Sequence, residues 1–240
     1  MKKLFLALIA VVTFFNVGQA QNDTMYVMKA GAVISKYNVN TQVDSIIFYQ
    51  PTITQGNTFT DSRDGNVYHT VTIGSQVWMV ENLKYLPSVV GSGTGSTTTP
   101  YYYVYGYNGT VVADAKATAN YAIYGVLYNW PAAMNGAASS TVNPSGVQGV
   151  CPTGWHLPSD AEWTQLTTFL GGESVAGGKL KEIGTTHWAS PNTGADNSSG
   201  FTALPGGYRN YGGSFYYIGY GGYWWSATEY DATHARGTVA

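Results

Sequence analysis

The stretch GWHLPSDAEWTQL, residues 154–166, contains the start of a helix and a dense group of potentially reactive side chains. Ser159 is followed three residues later by Glu162, which is the spacing of a capping box. In a capping box the hydroxyl and the carboxylate each accept a hydrogen bond from a backbone N–H at the start of the helix. The sequence therefore predicts a helix that begins after Ser159 and ends at Gly171-Gly172.

A catalytic interpretation of the same stretch would use Cys151 or His156 as nucleophile or base, with Asp160 or Glu162 as its partner. Helix initiation already accounts for Ser159 and for both acids, because negative charge is favourable at a helix N-terminus. We therefore interpret the stretch as structural and predict no catalytic residues in it. The residues to which we assign a structural role are Cys151, Trp155, Ser159, Glu162 and Trp163.

The composition limits the possible functions. The chain has 240 residues, a formal net charge of −2 and only 10% charged residues, against roughly 25% in ordinary soluble domains. It has 20 tyrosines, 7 tryptophans and 30 glycines. A near-neutral chain without a basic patch predicts no nucleic-acid partner. A tyrosine-rich, weakly charged surface is typical of extracellular binding proteins, where tyrosine supplies contact area at low entropic cost.

The N-terminus predicts export. A basic MKK is followed by the apolar run LFLALIAVVTFF, residues 4–15, and Gly18 and Ala20 occupy small-residue cleavage positions. We expect a signal peptide at residues 1–20, a mature chain starting near Gln21, and a secreted or cell-surface location. The apolar run is too short to span a bilayer, so we expect no membrane span.

The remaining chain is punctuated by turn signals. Residues 21–57 are predicted to be a short β-rich leader and linker, with two or three strands between 25 and 49. In the region that follows, alternating residues 67–73 and 77–79 flank Gly74-Ser75 and predict a β-hairpin. Asn108-Gly109, between tyrosine and valine runs, predicts another hairpin.

The best candidate for a functional surface is the aromatic and glycine-rich region 208–230. Its rings are too many for one small core, and alternate strand residues face opposite sides, so several should reach solvent. Exposed aromatic rings stack on sugars or anchor protein partners. Of Trp224 and Trp225 we expect one to be buried. The candidate ligand-binding residues are Tyr208, Arg209, Tyr211, Tyr217, Tyr220, Tyr223 and Trp225.

Six blocks in order carry a family resemblance: GNVYHTVTIGSQVWMVENLKY (65–85), YGVLYNW (124–130), CPTGWHLPSDAEWTQLTTFLGG (151–172), GGKLKE (177–182), SGFTALPGGYRN (199–210) and YWWSATEY (223–230). Together they resemble the Fibrobacter succinogenes major paralogous domain, a secreted or surface domain of Bacteroidetes and Fibrobacteres. That family is similar to C-type lectin-like proteins near the formylglycine-generating enzymes. The resemblance implies an α+β, C-type lectin-like domain at residues 58–240, with two helices, small twisted antiparallel sheets and long loops.

The resemblance also implies that the domain is incomplete at its C-terminus, since related chains continue to a strand with a second cysteine. The disulfide partner of Cys151 would then lie beyond Ala240, and a native free thiol is the alternative. The formylglycine-generating chemistry uses a pair of cysteines, so its activity does not carry over to a chain with one.

C-type lectin-like domains often bind calcium through loop oxygens, which makes Asp196 and Asn197 weak calcium candidates. The alternative for these residues is an Asx-type turn. Calcium is the one cofactor considered possible, and the scattered histidines predict no zinc site.

These observations favour a non-catalytic, secreted or cell-surface module that binds a glycan or a surface protein through its aromatic-rich C-terminal face. Two other functions are considered. One is a structural component of a fimbria or cell envelope, and the other is an enzyme similar to the formylglycine-generating group.

Overall fold

The computed structural model describes residues 57–230 with their side chains, together with the backbone of Asp231 and of three strands, Thr24–Lys29, Ala32–Asn38 and His234–Val239. The chain divides into two compact units, Met1–Thr52 and Ile53–Ala240. The predicted signal peptide and residues 39–49, where a third strand was possible, lie outside the described residues.

The described part of the first unit is a β-hairpin. Strands β1 (Thr24–Lys29) and β2 (Ala32–Asn38) pair antiparallel, and their register shifts between Val27 and Met28. Two of the strands predicted between residues 25 and 49 are therefore present.

The second unit mixes short helices with small antiparallel sheets, which confirms the α+β class. One sheet has three strands in the order β3-β4-β5, and the others are the pairs β6-β7, β8-β9 and β10-β11. In chain order the elements are β3 (Thr58–Thr60), β4 (Val67–Ile73), β5 (Gln76–Met79), β6 (Tyr102–Tyr103), α1 (Val112–Lys116), α2 (Ala119–Tyr124), β7 (Leu127–Tyr128), α3 (Trp130–Met134), α4 (Asp160–Phe169), α5 (Glu173–Leu180), β8 (Gly206–Arg209), β9 (Phe215–Ile218), β10 (Tyr223–Asp231) and β11 (His234–Val239).

The described residues form five helices where two were expected. Helices α1, α2 and α3 have five or six residues each, which is too short to show a 3.6-residue period. In α5 the pair Gly177-Gly178 lowers the helical propensity. A Cβ on Gly178 would fall on the Gly194 carbonyl, so close packing explains this glycine.

The β4-β5 hairpin is present as predicted, with Ile73 paired to Gln76 and Gly74 at φ +65° in the turn. Its burial departs from simple alternation at Thr70 and Val71, which are consecutive and both buried, so that Tyr68 is buried and Val67 is 55% exposed. Tyr68 stacks on Phe59 of the neighbouring strand β3, and its hydroxyl accepts a hydrogen bond from the Lys84 N–H.

The prediction of a hairpin at Asn108-Gly109 is wrong. Strand β6 instead pairs with the distant strand β7, with Tyr102 opposite Tyr128 and Tyr103 opposite Leu127. The Asn108 carboxamide oxygen accepts hydrogen bonds from the backbone N–H and the hydroxyl of Ser92, so this residue fastens a loop.

Helix α4 begins where the sequence predicts. The Ser159 side chain accepts from the Glu162 N–H, and the Glu162 carboxylate accepts from the Ser159 N–H, which completes the capping box. Trp163 and Leu166 of α4 pack in the main core, which also contains Val71, Ile73, Leu170, Ala176, Leu180, Phe201 and Ala203. None of the helices in the described part of the chain is long and apolar enough to cross a membrane.

Candidate binding surface

The hairpin β8-β9 presents two tyrosines on its outer face. Tyr208 lies directly opposite Tyr216, and their ring centroids are 6.0 Å apart. Directly paired residues of an antiparallel ladder share one face of the sheet. Tyr216 is 44% exposed, so this face of the hairpin meets solvent.

The inner face of the same hairpin is occupied by packing and hydrogen bonds. Phe215 packs on Tyr105 with ring centroids 4.9 Å apart. The guanidinium of Arg209 donates to the carbonyl oxygens of Ser92 and Thr94 and lies over the Tyr103 ring, 4.8 Å from its centroid. Arg209 was a candidate ligand contact, and the structure places its charge against the loop at Ser92.

Tyr217 departs from strand alternation. It follows Tyr216 and would face inward in a regular strand, yet its φ of +62° lies in the left-handed region. Its ring stacks on Tyr208 at 5.8 Å and 17°, and it is 55% exposed. For an L-residue this conformation costs about 1–2 kcal/mol, and here it brings a third ring to the outer face.

Strand β10 adds a fourth ring. Tyr223 meets Tyr208 edge-on with centroids 4.8 Å apart, and it is 38% exposed. We call Tyr208, Tyr216, Tyr217 and Tyr223 the tyrosine cluster. Its hub is Tyr208, which contacts the other three rings. Burial, and then the neighbouring Tyr208 and Tyr217, raise the pKa of Tyr223, which keeps its phenol neutral.

The two tryptophans of β10 point to opposite faces, as alternation requires. Trp224 is half-buried against the main core, and its indole N–H donates to the Asn82 side chain. Trp225 lies on the same face as Tyr223, is 36% exposed, and donates its indole N–H to the Tyr128 carbonyl. Tyr211 and Tyr220, the remaining candidates, are 100% and 70% exposed.

A cavity of about 1330 Å³ adjoins the tyrosine cluster. Five of the seven candidate residues line it: Tyr208, Arg209, Tyr211, Tyr223 and Trp225. Cys151, Trp155, His156, Glu162 and Trp163, the region first considered for catalysis, also line it, so the fold brings the two regions to one concavity.

Glu162 does more than cap α4. The residue is buried, with 5% of its surface exposed. Its carboxylate accepts hydrogen bonds from the Ser145 N–H at 2.9 Å, the Ser159 N–H at 2.9 Å and His156 Nε2 at 2.7 Å. These three partners come from two loops and the helix start. The carboxylate therefore fastens the loop at Ser145 to helix α4.

Comparison with known proteins identifies the family of the chain. The family model of the Fibrobacter succinogenes major domain matches residues 71–240. The chain belongs to this family. No curated protein and no solved structure matches the chain.

In this Fibrobacter succinogenes major domain Cys151 is the single cysteine of the sequence, so no disulfide forms within these 240 residues, and its pairing with a cysteine beyond Ala240 stays a prediction. Burial raises the pKa of the thiol to about 12, against a smaller opposite effect of Arg63. The thiol is therefore protonated near neutral pH, and a protonated thiol is a poor nucleophile.

The other two residues with predicted structural roles are tryptophans that pack on aromatic neighbours. Trp155 stacks on Phe59, with ring centroids 4.8 Å apart. Trp163 is 4% exposed and packs against Trp78 at 4.7 Å. Both help to hold the segment around the capping box against the core.

The calcium candidates of this family member form a turn. The Asp196 carboxylate accepts from the Ser198 N–H, and this hydrogen bond lowers the pKa of Asp196. The Asn197 side chain bonds both the N–H and the hydroxyl of Thr202. Within residues 57–230, no three His, Cys, Asp or Glu side chains are grouped to hold a metal ion.

Two participants were not among the sequence candidates. Tyr216 belongs to the tyrosine cluster because it pairs with Tyr208, but this pairing depends on a hairpin register that the glycine-rich sequence leaves open. Ser145 donates to Glu162 across 17 residues, and no local pattern indicates this contact between a loop and helix α4.

Proposed function

We propose that this Fibrobacter succinogenes major domain is a non-catalytic recognition module that binds a glycan or a surface protein through its aromatic C-terminal face. The observation that carries the proposal is the tyrosine cluster, whose rings contact one another and remain partly exposed beside a large cavity. Grouped exposed rings are typical of surfaces that exchange water for a ligand.

We propose no catalytic role for the residues around the capping box. In support, the Glu162 carboxylate is committed to three hydrogen bonds, and the Cys151 thiol stays protonated near neutral pH. An enzyme of the formylglycine-generating type would need a second cysteine beside Cys151, and the sequence has one.

We further propose that the domain has a C-type lectin-like fold. The two longest helices, α4 and α5, the small antiparallel sheets and the long segments at residues 80–101 and 135–159 are consistent with it. An experimental structure superposed on C-type lectin-like domains tests this, and a different strand order around the helices would contradict it.

Export is part of the proposal, because residues 1–20 have the pattern of a signal peptide. The protein is then secreted or displayed at the cell surface, where its ligand would also lie. N-terminal sequencing of the protein recovered from an exporting bacterium should begin near Gln21. An unprocessed N-terminus on cytoplasmic protein would contradict this part of the proposal.

The recognition function is tested by screening the purified chain against a glycan array and against isolated surface proteins. Binding should be lost in Tyr223→Ala and Trp225→Ala variants that keep the circular dichroism spectrum of the parent. Tyr230→Ala is the matched control and should bind normally. It removes another tyrosine of β10, which is 70% exposed. No binding at all, or unchanged binding by the first two variants, would count against the proposal.

A further inference from the structure

We propose that the ligand of the tyrosine cluster is a neutral glycan chain, which stacks its sugar rings on the cluster and extends along Trp225 into the adjoining cavity. This inference rests on the proposed recognition function and names the ligand class of the same surface.

The segment that carries the tyrosine cluster has almost no charged residues. Between Phe201 and Thr228 the only charged residue is Arg209, and its guanidinium is bound to the Ser92 and Thr94 carbonyls on the inner face of the hairpin. The tyrosine cluster therefore offers aromatic faces and phenol hydroxyls without an ionic partner. A charged ligand would lose hydration there without compensation.

The charged side chains that line the cavity are mostly acidic. Among the described lining residues the acidic side chains are Glu81, Glu162 and Glu229, and the permanently charged basic side chain is Arg209. Glu81 and Glu162 each contact a histidine, at 2.6 Å and 2.7 Å. This excess of carboxylates disfavours an anionic polysaccharide.

The cavity beside the tyrosine cluster is large and concave. A volume of about 1330 Å³ exceeds the roughly 300–1,000 Å³ of pockets for small ligands, which favours an extended ligand. A concavity beside partly exposed rings fits a chain of sugar units better than the flat surface of a globular partner. The C–H faces of sugars are attracted to the negative faces of aromatic rings, and the phenols can bond sugar hydroxyls.

The rings of the tyrosine cluster are already held in place by the backbone. Tyr217 keeps its ring beside Tyr208 through a left-handed backbone, although regular alternation would turn the side chain inward. Strained conformations of this kind cluster at functional sites. A surface whose rings are already positioned loses less side-chain entropy on binding.

The test is affinity gel electrophoresis of the purified full chain. Soluble xyloglucan, hydroxyethylcellulose and galactomannan are the neutral probes, and polygalacturonate is the anionic one. Retardation is expected with at least one neutral polymer, and it should persist at about 0.5 M NaCl because no charge pair is involved. Polygalacturonate should not retard the protein.

Tyr217→Gly is the decisive variant, because it deletes a ring and relieves the backbone strain, so that its melting temperature should stay close to that of the parent. Its affinity for the retarding polymer should fall about tenfold or more. Tyr230→Ala is the control and should bind like the parent.

The outcomes separate the two proposals. Retardation by polygalacturonate alone, or binding that salt removes, would overturn the neutral-glycan inference. No retardation by any neutral polymer, together with Tyr217-dependent binding to a purified surface protein, would overturn it and leave the recognition function standing. Absence of both kinds of binding would overturn both.

Discussion

At the scale of single residues, Glu162 shows how one side chain serves both local and tertiary structure. Replacing it with Gln removes the negative charge from these three hydrogen bonds and puts an N–H₂ group opposite either His156 or the two backbone N–H groups. We expect Glu162→Gln to lower the free energy of unfolding by about 2–4 kcal/mol in urea denaturation, since the carboxylate is buried.

Glu173→Gln is the matched control for this prediction. Glu173 is also the first-turn acid of a helix, α5, but it is exposed. Its replacement should change the free energy of unfolding by less than about 0.5 kcal/mol. Equal effects of the two substitutions would mean that the tertiary bonds of Glu162 contribute little.

Cys151 leads to a prediction about alkaline pH. Its pKa is raised to about 12 in the folded protein, whereas an unfolded chain has a thiol pKa of about 8.5. The folded state thus favours the neutral thiol, and this stabilisation is complete below about pH 8.5 and is lost as pH rises towards 12. Iodoacetamide at about pH 8 should label the native protein far more slowly than the urea-unfolded chain.

Cys151→Ala checks the same group by stability. Between about pH 8.5 and 11 the variant should lose less stability than the parent, measured by thermal melts. Rapid labelling of native protein, or identical alkaline profiles, would show that the thiol is accessible and ionises normally.

At the scale of elements, the β8-β9 hairpin depends on Gly207. Its φ is +64°, and a Cβ there would fall on the Tyr216 carbonyl oxygen and the Ile218 nitrogen, both backbone atoms that cannot move aside cheaply. We expect Gly207→Ala to lower the free energy of unfolding by more than about 2 kcal/mol in urea denaturation. Loss of the hairpin would also disperse the tyrosine cluster.

Gly212→Ala is the control within the connection of the same hairpin. A Cβ at Gly212 meets the Asn210 side chain at 3.5 Å, an ordinary contact distance. This substitution should change the free energy of unfolding by less than about 0.5 kcal/mol and leave any ligand binding intact. Similar destabilisation by both changes would contradict the close approach of strands at Gly207.

Elements differ in how well local sequence predicts them. Helix α4 and the β4-β5 hairpin follow from signals within a few residues, a capping box and a glycine turn. Strand β6 was assigned to the wrong partner, because Asn108-Gly109 is a good local turn signal and the pairing with β7 depends on contacts about 25 residues away. Helix α5 has no local signal of this kind, because Gly177-Gly178 lowers its helical propensity and only packing against Gly194 explains Gly178.

At the scale of the whole molecule, Arg63 joins distant parts of the domain. Its guanidinium bonds the buried Asp61 carboxylate, donates to the Val150 carbonyl and lies over the Tyr85 ring, 3.9 Å from its centroid. The hydrogen bond from Arg63 holds the pKa of Asp61 below its usual value.

A depressed carboxyl pKa stabilises the fold above the unfolded pKa of about 3.9, and this contribution is lost as pH falls through the folded pKa. The protein should therefore lose stability from about pH 5 downward. Asp61→Asn should be less stable at pH 7 and should show a flatter thermal-melt profile between about pH 6 and pH 3. Asp114→Asn, at an exposed site, should keep the profile of the parent. An unchanged acid profile in Asp61→Asn would exclude this pair as a source of acid sensitivity.

The sequence by itself determined the start of α4 and the aromatic excess of the C-terminal region, because these follow from signals within a few residues and from composition. The resemblance of its six blocks gave the family and implied the α+β class. Only the tertiary structure decided which rings meet. Tyr216 lies in the tyrosine cluster because of the hairpin register, and Tyr217 because of its left-handed backbone. The guanidinium of Arg209 instead binds the Ser92 carbonyl on the other face of the hairpin. The physical reason is that hairpin register and backbone strain depend on turn geometry and on the packing around the hairpin, which local periodicity does not encode.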